Sequence, residues 1–230
     1  MLFFFYILLK IFKKEYPMNC PKRKLHEVHS YQETFKPGEY TNARPKVMRE
    51  IFQKVKEGDS ACAWDANIFN EFWGNGKVVA SLGNGMISNE DKEEVQKHWD
   101  DSGLKDALHL LTLEPEKLQW DVYEKIDEIL QKLTTKHYIL ATVRLIATLQ
   151  PRLFSMTVNP KSLDDIVANF KQDGIDFDYE GYERVSSKDE VLETLRRSHL
   201  IQTFLIQEYQ DDFIYDLGDV TGALANLNTN

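Results

Sequence analysis

A mainly α fold, a multi-helix domain with at most two or three short strands, is what this sequence predicts, and three observations carry the prediction. Apolar residues return every three or four positions through most of the chain, the spacing that gathers them on one side of a helix. Residues that start and stop helices punctuate these stretches, among them Ser88 with Asp91, Gly103, Asn159-Pro160 and Ser187 with Glu190. The period-two alternation of a half-buried strand is confined to residues 175–185, with one further short apolar run at Val78–Leu82. About eight helices follow, in a chain that divides into an apolar and basic arm, residues 1–43, and a single helical domain, residues 44–230.

The arm opens with MLFFFYILLKIFKK, whose apolar run Leu2–Leu9 is eight residues long. A spanning helix needs roughly 20, so no transmembrane segment is expected. The lysines follow the run, the reverse of a secretory signal. Two readings stay open: residues 1–17 lie upstream of a start at Met18, or they anchor at a membrane surface with Lys10, Lys13 and Lys14 facing anionic lipid. Residues 17–45 are polar and rich in proline, and their PKRK at 21–24 reads as solvated surface. The first helix of the domain is expected from Arg44-Pro45, with Val47, Ile51, Phe52 and Val55 on one face and Gly58 ending it.

Trp64, Ile68, Phe69, Phe72 and Trp73 come next, and the spacing predicts one helical face through 64, 68 and 72. Gly74-Asn75-Gly76 and Gly83-Asn84-Gly85 bracket Val78–Leu82 as two tight turns around an extended segment. They lack the Lys-Ser/Thr ending of a phosphate loop. Ser88 and Asp91 open a polar helix over about 89–101, with Val95 and Trp99 inward. Gly103 breaks it, and Leu104–Thr112 forms a short helix burying Leu104, Leu108 and Leu111. Glu114-Pro115 are expected to begin a long helix with an apolar stripe of Leu118, Val122, Ile126, Ile129, Leu130 and Leu133.

The domain should centre on residues 136–173. There a mostly apolar helix, Tyr138–Leu149, stops at Pro151, and Leu153–Val158 leads to a second helix capped by Asn159 with Pro160 in its first turn. The two helices are expected to meet around Phe154 and Met156. Ile175, Phe177 and Tyr179 alternate with Asp176, Asp178 and Glu180 in a strand pattern. Ser187 and Glu190 form a capping box for a helix of about twenty residues, burying Val191, Leu195, Ile201, Phe204 and Leu205. A weak last helix is expected over Val220–Leu227.

The charge is uneven. Residues 1–50 carry ten Lys/Arg against five Asp/Glu, and residues 51–230 carry eighteen against thirty-two, within a net charge of −9. An acidic body repels a phosphate backbone and suits a basic partner protein better than DNA. Cys20 and Cys62 make neither a disulfide framework nor a CxxC pair, which points to a reduced, cytoplasmic protein. His26 and His29 have ligand spacing, but no further Cys, Asp or Glu completes a metal set around them, so no metal and no cofactor is expected. Asp176, Asp178 and Glu180 share one strand face, and a metal-dependent nuclease would need Lys171 or Lys188 beside them; an acidic edge facing water explains the same pattern. No nucleophile elbow, HExxH, dinucleotide fingerprint or P-loop is present. No catalytic residue is therefore assigned.

Two stretches carry a resemblance to a known family. Residues 138–170 resemble the helical segment upstream of the motor in McrB-type restriction ATPases, where a helix is followed by a P-x-x-F/Y phrase and a lead into another helix. Here that phrase is Pro151, Arg152, Leu153 and Phe154, with Asn159 and Leu163 opening the next helix. Residues 190–227, ending FIYDLGDVTGALANL, are similar to the last helices before the ATPase in such proteins. The resemblance implies a nucleotide-driven, DNA-targeting defence system in which this chain is a specificity or adaptor module. It carries no P-loop lysine, acidic box or arginine finger, so the NTPase would lie outside this chain, which would be such a module or a truncated gene product. For DNA binding, the basic run before the aromatics offers Arg44, Lys46, Arg49, Lys54 and Lys56 as the phosphate-facing surface. Trp64 and Trp73, with Phe72 and Trp99, would wall an aromatic cage for a flipped base. The alternative is that these aromatics are core and that the chain binds a partner protein.

Overall fold

The computed structural model describes residues 64–74, 87–155, 159–172, 177 and 189–209. Among them the fold is mainly α, with seven helices and no strand. The expected helix from Arg44, the Val78–Leu82 run, Met156, the helix over Val220–Leu227 and all of the 175–185 strand pattern but Phe177 lie outside the described residues.

Helix α1, Ala66–Trp73, starts because Asp65 Oδ1 accepts the backbone N–H of Asn67 at 2.8 Å and of Ile68 at 3.2 Å. Those bonds hold the exposed Asp65 carboxyl below its ordinary pKa. Its buried face is Phe69, Phe72 and Trp73, with Ile68 only half-buried. The expected face through 64, 68 and 72 is therefore shifted, because Trp64 precedes the helix and is not subject to its period.

Helix α2, Asn89–Lys97, is capped by Ser88, whose Oγ accepts the Asp91 N–H at 3.1 Å. It stops at Lys97 instead of 101; residues 98–102 turn toward Gly103, whose φ of +77° is the left-handed backbone that glycine adopts without strain. Gly103 also caps α3, Leu104–Leu113, in which Leu104, Ala107, Leu108 and Leu111 are fully buried.

The long helix, α4, is Trp120–Leu133. It does not begin at Glu114, because the carbonyls of Glu114 and Lys117 are held by the side-chain amide of Gln150 at 3.2 and 3.0 Å, which keeps residues 114–119 in a turn. Ile126, Ile129 and Leu130 are buried as the stripe predicts, joined by Tyr123 and Asp127. Leu118, Val122 and Leu133 pack at its margins.

Helix α5, Ile139–Leu149, is the centre of the bundle: from Ala141 to Leu149 every residue except Arg144 is buried. A helix apolar all round belongs inside. Its two buried threonines return their hydroxyls to the helix itself, Thr142 to the Tyr138 carbonyl and Thr148 to that of Arg144.

Helix α6, Pro160–Gln172, begins as expected, with Asn159 Oδ1 accepting the Lys161 N–H at 3.0 Å. Helix α7, Glu190–Tyr209, is capped by Asp189, which accepts the Leu192 N–H at 2.9 Å, so the helix starts two residues later than a Ser187 cap would place it. Val191, Leu195, Ile201 and Phe204 are buried.

Around α5 pack α3, α4 and α7; α2 lies against α4, α1 against α2, and α6 against α7. The first core runs from Trp64 to Leu195 and takes in Phe154. A second set of rings, Phe170, Phe177 and Phe204, with centroids 5.0–5.6 Å apart, joins α6 to the distal half of α7. Among the described residues no helix is long and apolar enough to cross a membrane.

Candidate functional site

Two polar clusters and one apolar surface are what these helices set up. The first cluster surrounds the α4–α5 turn, residues 134–138. Asp91, 2% exposed on α2, receives the Thr135 N–H at 2.7 Å on Oδ1. Its Oδ2 receives the hydroxyls of Tyr138 at 2.6 Å, Thr135 at 3.0 Å and Ser88 at 3.0 Å. Burial alone would raise the Asp91 pKa; the bonds from Tyr138, Thr135 and Ser88 outweigh it and leave the carboxyl below its ordinary value. The Ser88 N–H goes to Tyr138 Oη at 3.2 Å, so Asp91 spends the reciprocal arm of a capping box on another helix connection.

On the other side of the turn, Asp127, 3% exposed on α4, lies 2.9 and 3.0 Å from His137 Nε2 and accepts the Gln131 amide at 2.6 Å. A buried carboxylate that fixes one imidazole nitrogen is how a catalytic base is oriented. The neighbouring hydroxyls are committed elsewhere, Thr134 to the Leu130 and Lys136 carbonyls and Thr135 to Asp91. What these groups do together is fasten a five-residue turn to two helices.

The second cluster holds the segment after α5. Gln150, fully buried, accepts the Tyr123 hydroxyl at 2.5 Å while its amide reaches Glu114 and Lys117. Burial pushes the Tyr123 phenol up to about 12. From α7, Gln202 donates to the Pro151 carbonyl at 2.8 Å, His199 Nδ1 to that of Leu153 at 2.7 Å, and the Ser198 hydroxyl to that of Ser155 at 3.2 Å. Three side chains of one helix thus satisfy alternate carbonyls of a buried loop, which otherwise would be costly. Burial lowers the His199 pKa despite its bond to Leu153. Phe154 stands edge-on to Tyr123 at 5.5 Å and to His199 at 6.0 Å. The Pro-x-x-Phe phrase is accordingly a structural joint.

The site residues expected from the sequence fall into two groups. Arg44, Lys46, Arg49, Lys54 and Lys56 lie outside the described residues, as do His26, His29, Asp176, Asp178 and Glu180. Trp64 and Trp73 are each 1% exposed. Trp64 lies against Phe72, Trp99 and His109, and Trp73 stacks on Phe69 at 5.8 Å. Trp99 is also closed in, its indole N–H donating to the Trp64 carbonyl at 3.1 Å. These rings are packed on one another within the core. Among the described residues no group of three or more His, Cys, Asp or Glu is placed to hold a metal ion.

Sequence reasoning passed over the Asp127–His137 pair and the outer face of α3. A carboxylate one residue after Ile126 on a buried stripe was the available signal for the first. The run LHLLTL was the signal for the second: Leu110 and Leu113 stand 43% and 62% exposed, one turn apart, while Leu108 and Leu111 are buried.

Compared with known protein families, with curated proteins and with solved structures, this chain has no match. The likeness to restriction ATPases rests on the residues of 138–170 and 190–227 alone.

Proposed function

We propose that this chain is a non-catalytic helical module that works by binding another protein. The observation that carries this reading is the pair Leu110 and Leu113, large apolar side chains held in water on a helix whose other face is fixed in the core. Scattered exposed leucines are ordinary; these two lie one turn apart on one face of α3, beside each other. The reading is supported by the inward commitment of Asp91, Asp127 and Gln150. The acidic balance of residues 51–230 favours a basic partner over a phosphate backbone.

DNA recognition within a restriction-type defence system is the second reading, favoured by the five cations between Arg44 and Lys56. In either case the two cysteines fit a reducing cytoplasm. The experiment pairs capture from an extract of the source organism with a duplex-DNA titration, each performed on the wild type and on a Leu110→Ser/Leu113→Ser variant. A protein held by the wild type and lost by the variant is expected. Salt-sensitive DNA binding, unchanged in the variant and with no protein captured, would overturn the interaction reading in favour of the second.

A further inference from the structure

Resting on the interaction reading, we infer that the outer face of α3 takes a cationic amphipathic helix. Asp106, Leu110, Leu113 and Glu114 fall at spacings of four, three and one along α3 and its C-cap. All four are exposed. They form a strip with two leucines in the middle and a carboxylate toward each end. The face cannot turn inward, because Leu104, Ala107, Leu108 and Leu111 are fully buried on the opposite side.

The surroundings add to the negative charge. Glu116 and Asp121 follow in the turn and in the first turn of α4, and both are exposed. Gln119 of that turn reaches the Leu110 carbonyl at 3.5 Å, which brings the turn beside the leucines. Ion pairs neutralise part of this rim, Lys117 lying 2.8 Å from Glu114 and Arg152 3.5 Å from Glu116, so its net negative charge comes from Asp106 and Asp121; Lys105 lies 2.5 Å from Asp100. An apolar strip with an acidic rim selects a partner that brings apolar side chains at i, i+3, i+4 and i+7 and Lys or Arg on their flanks. A phosphate backbone offers neither the apolar stripe nor the opposite charge.

The test uses the full chain and three labelled synthetic peptides followed by fluorescence anisotropy. One is a helical peptide with leucines at i, i+3, i+4 and i+7 among lysines. The second is its scrambled isomer, and the third carries glutamate for every lysine. The structure predicts binding of the first peptide, weaker by about tenfold for the scramble and for Leu113→Ser, since loss of a half-exposed leucine contact is of that order. Asp106→Asn with Asp121→Asn should weaken it about threefold and flatten its salt dependence.

Equal binding of the basic peptide and its scramble would overturn the inference, because charge alone would then explain it. Preference for the glutamate peptide, still lost in Leu113→Ser, would overturn the cationic partner and leave the interaction reading standing. Indifference of every peptide to Leu113→Ser would remove the α3 face from both.

Discussion

Replacing Asp91 by asparagine probes the joint between α2 and the α4–α5 turn. The carboxylate accepts four bonds, from the Thr135 N–H and from the hydroxyls of Thr135, Tyr138 and Ser88. A bond to a charged acceptor contributes about 1.5–3 kcal/mol, but the four share one group whose desolvation offsets part of the gain. Asparagine keeps one oxygen for the Thr135 N–H, and the hydroxyls can rotate to accept from its amide. The net loss is about 2–3 kcal/mol, or a fall of about 4–12 °C in Tm for a domain of this size. Urea unfolding at neutral pH, followed by the fluorescence of the buried tryptophans, reads it directly.

The pH dependence gives the same joint an independent signature. Asp91 has a folded-state pKa below its ordinary value of 3.8. Its charged form therefore stabilises the fold fully above that value, and the contribution is lost as pH falls through the lower folded value. The gap between wild type and Asp91→Asn should accordingly narrow as pH drops below 3.8. Tyr138→Phe in the same background should cost less than it does in the wild type, because the two groups share a bond. Equal midpoints at neutral pH, or a gap independent of pH down to the acid limit of the folded state, would refute the assignment.

Tyr123→Phe removes the hydroxyl bonded to Gln150 and leaves a buried amide oxygen without its donor; chemical denaturation should show a loss of about 1–2 kcal/mol with the helix content unchanged. His199 has a folded-state pKa below its ordinary 6.5. Its neutral form is favoured by the fold, so that contribution is present above 6.5 and lost as pH falls from there toward the folded value. Urea midpoints measured between about pH 7 and about pH 5 should decline more steeply for the wild type than for His199→Gln, and parallel slopes would place the titration elsewhere.

Elements whose ends depend on neighbouring residues were legible. Gly103, Asn159-Pro160 and the stop at Leu149 each act within a turn of the helix they delimit, and α3, α5 and α6 fall where those residues put them. The misplaced boundaries have distant causes. The start of α4 is set by Gln150, whose amide reaches Glu114 across 36 positions. No period or cap signals that. The same holds for Asp127 and His137, ten residues apart around a turn, and for Asp91 and Thr135, which meet across 44. Trp64 and Trp73 show the other limit: composition placed them in one aromatic cluster, but only packing distinguishes rings that enclose a space from rings that fill one.

The register of α3 connects these joints to what the molecule can bind. Its sequence LKDALHLLTL is apolar on more sides than one, the pattern of a helix enclosed all round. Yet its packing against α4, α5 and Trp64 leaves Leu110 and Leu113 exposed. Rotating α3 to hide Leu110 and Leu113 would expose Leu104 and Leu108, which are fully buried, so the helix has no arrangement within the described residues that covers every leucine. Its position is held by the burial of Leu104, Ala107, Leu108 and Leu111 and, at its end, by the turn that Gln150 fastens after Glu114. The turn that Gln150 fastens therefore also helps to fix a leucine pair at the surface. A face held this rigidly loses little conformational entropy when a partner covers it, which makes it suited to docking.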